Sequence, residues 1–160
     1  MEEIYFIGGS PCSGKSTIAE RLAKAFAMYY FKVDDYLDDY LDMAKEAGKV
    51  YSTKAKTLSA EETWMRTPEI QEQEELKIYE EIFEYVLQDV EKLAKSRPVI
   101  TEGAAYLPRL VKAIGIDKLH YVNITPTKDF QYEHYKMRLW VPYVLEGCTD
   151  QNQAFENWME

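Results

Sequence analysis

Gly9, Ser10, Pro11, Cys12, Ser13, Gly14, Lys15, Ser16 and Thr17 follow one another near the start of the chain, in the spacing G-x-x-x-x-G-K-[ST]. Glycines at those two places let the backbone curl until successive N–H groups point inward. Such a concavity at a helix N-terminus is an anion site. A lysine there can reach the outer phosphates of a nucleotide, and the hydroxyl of Ser16 can ligate Mg²⁺. Farther along, Asp34 and Asp35 stand together, Glu102 precedes Gly103, and Arg138 lies in the stretch EHYKMRLW. Carboxylates and guanidinium groups can take a proton, hold metal-bound water or neutralise phosphate charge.

These residues need elements to bring them together. Ile4, Tyr5, Phe6 and Ile7 form a short apolar run ended by glycine, as in a buried parallel strand. After Lys15, apolar residues at Ile18, Ala19, Leu22, Ala23, Ala25 and Phe26 have helical spacing, which leaves Glu20, Arg21 and Lys24 outside. Residues 29–33 read as a second strand ending at Asp34-Asp35, followed by an acidic helix over 36–47 that Gly48 closes. Residues 49–66 have no clear period and carry Lys49, Lys54, Lys56 and Arg66, so a mobile connection over the site is expected there.

Thr67-Pro68-Glu69 has the composition of a helix start and opens the longest helix, with a core stripe at Tyr79, Ile82, Phe83, Val86, Leu87, Val90, Leu93 and Ala94. Its Glu72, Glu74, Glu75, Glu80 and Glu81 read as a solvated face. Residues 98–103 and 119–124 are the third and fourth strands, with a short helix over 107–114 between them. A helix over 127–139 follows; Pro142 forces a bend, and a last helix opens near Thr149. Strands alternating with helices predict a parallel sheet covered on both faces, with ligands beyond the C-terminal strand ends. Gly9, Asp34 and Glu102 all fall at those ends.

The 160 residues suit one domain with a proper core, and 46% hydrophobic with 29% charged residues is ordinary globular composition. The first strand begins too early to leave room for a signal peptide, and no apolar run is long enough to span a bilayer, so a cytoplasmic chain without membrane contact is expected. A net charge of −9 disfavours general nucleic-acid binding. Cys12 and Cys148 form no disulfide framework, and Cys12 reads as a small loop residue. His120 and His134 are isolated and share no metal-ligand spacing.

GGSPCSGKST followed by VDDYL resembles the P-loop kinases that phosphorylate small acceptors, a group that includes shikimate and gluconate kinases, zeta-toxin kinases and the 5′-polynucleotide kinase domain. ITEGAAYLP resembles the Glu-Gly strand end of uridine kinase and 2-phosphoglycerate kinase, and EHYKMRLW stands where these families carry an arginine-bearing lid. The resemblance implies the three-layer α/β/α fold of P-loop NTPases. With no fifth strand found after the lid, it implies a four-strand parallel sheet in the order 2-3-1-4, with mobile segments near 49–66 and 128–148. It implies Mg²⁺ and ATP bound by the 9–17 loop, and a small-molecule acceptor of unassigned identity. Lys15 and Arg138 would meet the transferring phosphate and Asp34 would act as base. Ser16, Asp35 and Glu102 would serve the metal, the last two through bound water.

Other readings stay open at this point. Asp34-Asp35 can be a polar turn opening a helix, Glu102 a structural strand-end carboxylate, and Arg138 half of a surface ion pair. A GTPase is disfavoured, because TPTKDF puts Phe130 where a guanine-reading Asp belongs and no Asp-x-x-Gly occurs. A non-catalytic nucleotide-binding or partner-regulated module is the remaining rival to a kinase.

Overall fold

The computed structural model describes residues 3–160. The apolar run forms β1 (Ile4–Gly8), and the helical pattern after Gly14 forms α1 (Lys15–Phe26). In β2 (Tyr29–Lys32) the strand stops one residue before the expected end, because Val33 already enters a 3-10 turn (Val33–Tyr36) that carries both aspartates. Next come α2 (Leu37–Glu46), α3 (Val50–Thr57), α4 (Ala60–Trp64) and the long α5 (Pro68–Ala94). They are followed by β3 (Val99–Glu102), α6 (Pro108–Ala113) and β4 (Tyr121–Asn123). The chain closes with α7 (Lys128–Lys136), α8 (Val141–Val144) and α9 (Gln151–Met159).

The four strands are parallel and lie in the order β2-β3-β1-β4, as the sequence predicts. Their register pairs Ile7 and Lys32 with Glu102 on either side of β3. The loop after β1, the aspartates after β2 and the carboxylate ending β3 therefore leave the sheet at one edge. On one face Ile4, Phe6, Phe31 and Val99 pack with Ile82, Phe83, Val86 and Val90 of α5 and with Tyr40 and Ala44 of α2. On the other, Ile7 and Ile100 meet Ala19 and Ala23 of α1. A separate cluster around Tyr135, Val141, Leu145 and Met159 ties α7, α8 and α9 together.

Two expectations change. The apolar stripe of α1 is only partly used: Ala19 and Ala23 are buried, whereas Ile18, Leu22 and Phe26 are 39%, 37% and 69% exposed. α1 lies chiefly over β3, with β2 and β1 beside it, so a narrow strip of the helix meets the sheet. Residues 49–66 form α3 and α4 rather than an irregular connection. Their anchors are polar, which is why no apolar period marks them.

Glu81 of α5 accepts from the backbone N–H groups of Tyr51 and Ser52 at 3.1 and 2.7 Å, and from the Ser52 hydroxyl, so it caps α3 from outside. Glu74 pairs with Lys54 and Arg66, and Lys56 bridges Asp38 and Asp42 of α2. Ser59 and Glu62 close a capping box on α4. The glutamates of α5 are thus in part a docking face for these helices. Among the described residues no helix is long and apolar enough to cross a membrane.

Candidate functional site

The loop between β1 and α1 is shaped by its backbone. Gly9 has φ +122°, and a Cβ there would stand 1.9 Å from the Ile124 carbonyl oxygen, so only glycine fits. Cys12 is left-handed at φ 62°, and Gly14, at φ 85°, precedes the first turn of α1. α1 has no side-chain cap and no acidic residue in its first turn. Its first N–H groups have no intrahelical partner and face the loop end, with the positive end of the helix dipole behind them. The Ser10 hydroxyl oxygen is buried with no hydrogen-bond partner.

Lys15 is only 8% exposed and folds back over this loop. Its Nζ donates to the Ser10 carbonyl oxygen at 2.7 Å, with Ser13 Oγ at 3.5 Å. Burial lowers the pKa of its ammonium, while the carboxylates of Glu102 and Asp34, in that order, act to raise it. The guanidinium of Arg138 also acts to lower it. The lysine thus lies within reach of the charges of Glu102, Asp34 and Arg138.

Glu102 ends β3 at 1% exposure. Its Oε1 accepts from the Ser16 hydroxyl at 2.8 Å and from the Tyr30 phenol at 3.0 Å. The residue after it must be glycine, because a Cβ on Gly103 would meet Val33 Cβ at 2.7 Å. That close approach carries the turn after β2 up against the end of β3. Val33 and Gly103, the residues next to Asp34 and Glu102, make this approach.

The two aspartates part company. Asp34 is among the charges acting on Lys15, on Tyr79 and on Tyr135. Asp35 turns to Lys32 at 3.6 Å, with its side chain 62% exposed. Among the described contacts none joins the Asp35 carboxylate to Ser16 or Glu102, and its one partner is Lys32 in an exposed pair. Arg138 lies just past the C-terminus of α7, where the expected helix has already ended. Its Nη2 donates to Cys12 Sγ at 3.3 Å, and its guanidinium stands 5.2 and 5.6 Å from the ring centroids of Tyr135 and Trp140. The arginine of the lid-like segment thus rests directly on the loop.

Among the described residues no three His, Cys, Asp or Glu side chains gather as a metal cluster. A Mg²⁺ ion bound with nucleotide does not require one, because it keeps waters and takes phosphate oxygens. The Ser16 hydroxyl with Glu102 behind it fits that mode, and the orphaned Ser10 hydroxyl and free helix N–H groups fit the phosphates. His120 stacks on Tyr5, and His134 on Phe130, away from these groups.

Sequence reasoning gave Tyr30 no role, and it read Tyr79 only as core and Glu75 only as part of a solvated face. Tyr30 pairs with Ile100 in the ladder, two positions before Glu102, so strand alternation puts both side chains on one face. That signal appears only once the register is known. Tyr79 donates to Glu75 at 2.5 Å, one turn away on α5, and burial pushes the Tyr79 phenol well up, with Glu75 and then Asp34 adding to it. Compared with known proteins, the chain matches no family model, no curated relative and no solved structure.

Proposed function

We propose that this chain is a kinase of the P-loop NTPase fold, transferring the γ-phosphoryl group of Mg-ATP to a hydroxyl of a small molecule. The observation that carries the reading is the Ser16–Glu102 contact at 2.8 Å beneath an uncapped helix N-terminus. It joins a hydroxyl suited to Mg²⁺ with a buried carboxylate at the point where phosphates would lie. In this reading residues 9–17 hold the phosphates through backbone N–H groups, and Lys15 leaves the Ser10 carbonyl to meet the outer ones. A bound Mg²⁺ supplies charge neutralisation of the phosphates.

Asp34 holds the acceptor hydroxyl and takes its proton as the oxygen attacks phosphorus and the bond from the γ-phosphorus to the bridging oxygen breaks. Arg138, already on the loop, meets the charge of the transferring group. Alignment and charge neutralisation are the main demands of this chemistry, and these residues meet them without a covalent intermediate on the protein.

The test is ADP formation from Mg-ATP across hydroxylated metabolites, nucleosides and sugars, with Lys15→Ala as control. Acceptor-dependent turnover that Lys15→Ala nearly abolishes, with an unchanged circular dichroism spectrum, is the expected result. Unchanged turnover in the variant would overturn the assignment. Nucleotide binding without turnover on any acceptor would favour a non-catalytic nucleotide-binding module.

A further inference from the structure

Glu102 receives two hydroxyls on one oxygen, Ser16 at 2.8 Å and Tyr30 at 3.0 Å, and neither goes to Oε2. The Ser16 hydroxyl has one proton and two lone pairs. With the proton held by Glu102, the direction of the lone pairs is set by where that carboxylate sits. The carboxylate ends a strand and is 1% exposed, and among the described residues the only side-chain donors to it are these two hydroxyls. Tyr30 comes from the neighbouring strand β2, and its ring packs against the α1 layer.

We propose that Tyr30 is a positioning residue for the metal: its phenol fixes Glu102, which in turn aims the Ser16 oxygen at the cation. The inference rests on reading the site as one for Mg²⁺ and nucleotide, and deepens it. A phenol carries its proton at neutral pH, so Tyr30 donates to the Glu102 carboxylate at 3.0 Å. Groups that orient a metal ligand from behind typically govern metal affinity by about 10- to 100-fold.

The test needs no acceptor and no turnover. Binding of a fluorescent ATP analogue is titrated against Mg²⁺ for the unaltered chain, Tyr30→Phe, Glu102→Gln and the double variant, with melting curves for each. Tyr30→Phe keeps the ring and removes only the hydroxyl. It is expected to raise the Mg²⁺ midpoint about ten-fold, at the lower end of that range, while leaving Mg²⁺-free nucleotide binding unchanged. Because the phenol acts through the carboxylate, the double variant should bind no more weakly than Glu102→Gln alone.

An unshifted midpoint in Tyr30→Phe, or losses that add in the double variant, would overturn the inference while leaving the site reading intact. Equal weakening with and without Mg²⁺, or a markedly lower melting temperature, would make the phenol a structural group and also overturn it. If the unaltered chain binds no nucleotide at any Mg²⁺ concentration, the site reading itself falls, and this inference with it.

Discussion

Arg138 Nη2 lies 3.3 Å from Cys12 Sγ, so a residue 126 positions downstream rests on the loop between the first strand and the first helix. The guanidinium is held there by a weak thiol acceptor and by the faces of Tyr135 and Trp140. Sulfur is a poor acceptor, and a phosphate oxygen is a far better one. The contact is therefore one that a bound anion can replace at little cost.

This exchange should be visible in tryptophan emission. Trp140 lies under Arg138 and 5.9 Å from Trp158, which stacks near Trp64. Adding Mg-ATP is expected to change the intrinsic fluorescence, and Arg138→Ala should remove most of that change. In a turnover assay Arg138→Ala should lower kcat by about 10²-fold or more, in line with electrostatic groups aimed at a transferring phosphate. A full spectral response and unaltered kcat in Arg138→Ala would mean that the arginine is a surface group stacked on aromatics.

The segment 49–66 makes a structural prediction. Glu81 accepts three hydrogen bonds from Tyr51 and Ser52, and Ser52 is fully buried. Removing the carboxylate leaves the N-terminus of α3 without that cap, at a cost of about 1–3 kcal/mol. Glu81→Ala should therefore lower the melting temperature and open residues 50–57 to limited proteolysis. Proteolysis that begins elsewhere, at the rate of the unaltered chain, would count against α3 being anchored in this way.

How much of this was legible in the sequence depends on which force sets each feature. The loop and the four strands could be read because glycine spacing and apolar runs are local signals, whereas their order was available only through the resemblance to P-loop kinases. The meeting of the turn after β2 with the end of β3 could be expected only as two strand ends on one edge; what brings them together is Val33 packing where Gly103 has no side chain. Helix α3 was not legible, since it is fixed by Glu74, Glu81, Asp38 and Asp42 from other elements, whereas α4 carries a local capping box, Ser59 to Glu62, that sequence reasoning missed. Nor was the split between Asp34 and Asp35, because a 3-10 turn rather than a strand carries them, and Lys32 selects Asp35 three residues on.

That split can be tested by paired variants. The charge of Asp34 acts on Lys15, whereas Asp35 is half of an exposed pair that is worth little to stability. On whichever acceptor supports turnover, Asp34→Asn should lower kcat by about 10²- to 10⁴-fold with little change in ATP affinity. Asp35→Asn should leave kcat within about two-fold and the Mg²⁺ requirement unchanged, as expected of a surface pair. Similar small losses in both would reduce the pair to a polar turn, and a larger loss in Asp35→Asn would reverse their roles.

The last prediction concerns the cost of keeping Lys15 charged. Its pKa is lowered from 10.5, first by burial, and the neighbouring carboxylates only partly restore it. A base that holds its proton less tightly in the folded state makes folding less favourable while it is charged in both states. The unfolded chain binds more protons between the lowered folded value and 10.5, so stability rises with pH across that window. Below the window the full penalty is present. Lys15→Met keeps most of the stem's volume and removes the charge. It should raise the melting temperature at neutral pH, and its advantage over the unaltered chain should shrink as the pH approaches 10.5. The same variant should lose nucleotide binding, since the loop then lacks the cation that meets the phosphates. Thermal melts at neutral and alkaline pH, together with binding titrations, decide it. A Lys15→Met chain that melts lower than the unaltered one at neutral pH would mean that the ammonium stabilises the empty loop through Ser10, Glu102 and Asp34 more than its burial costs.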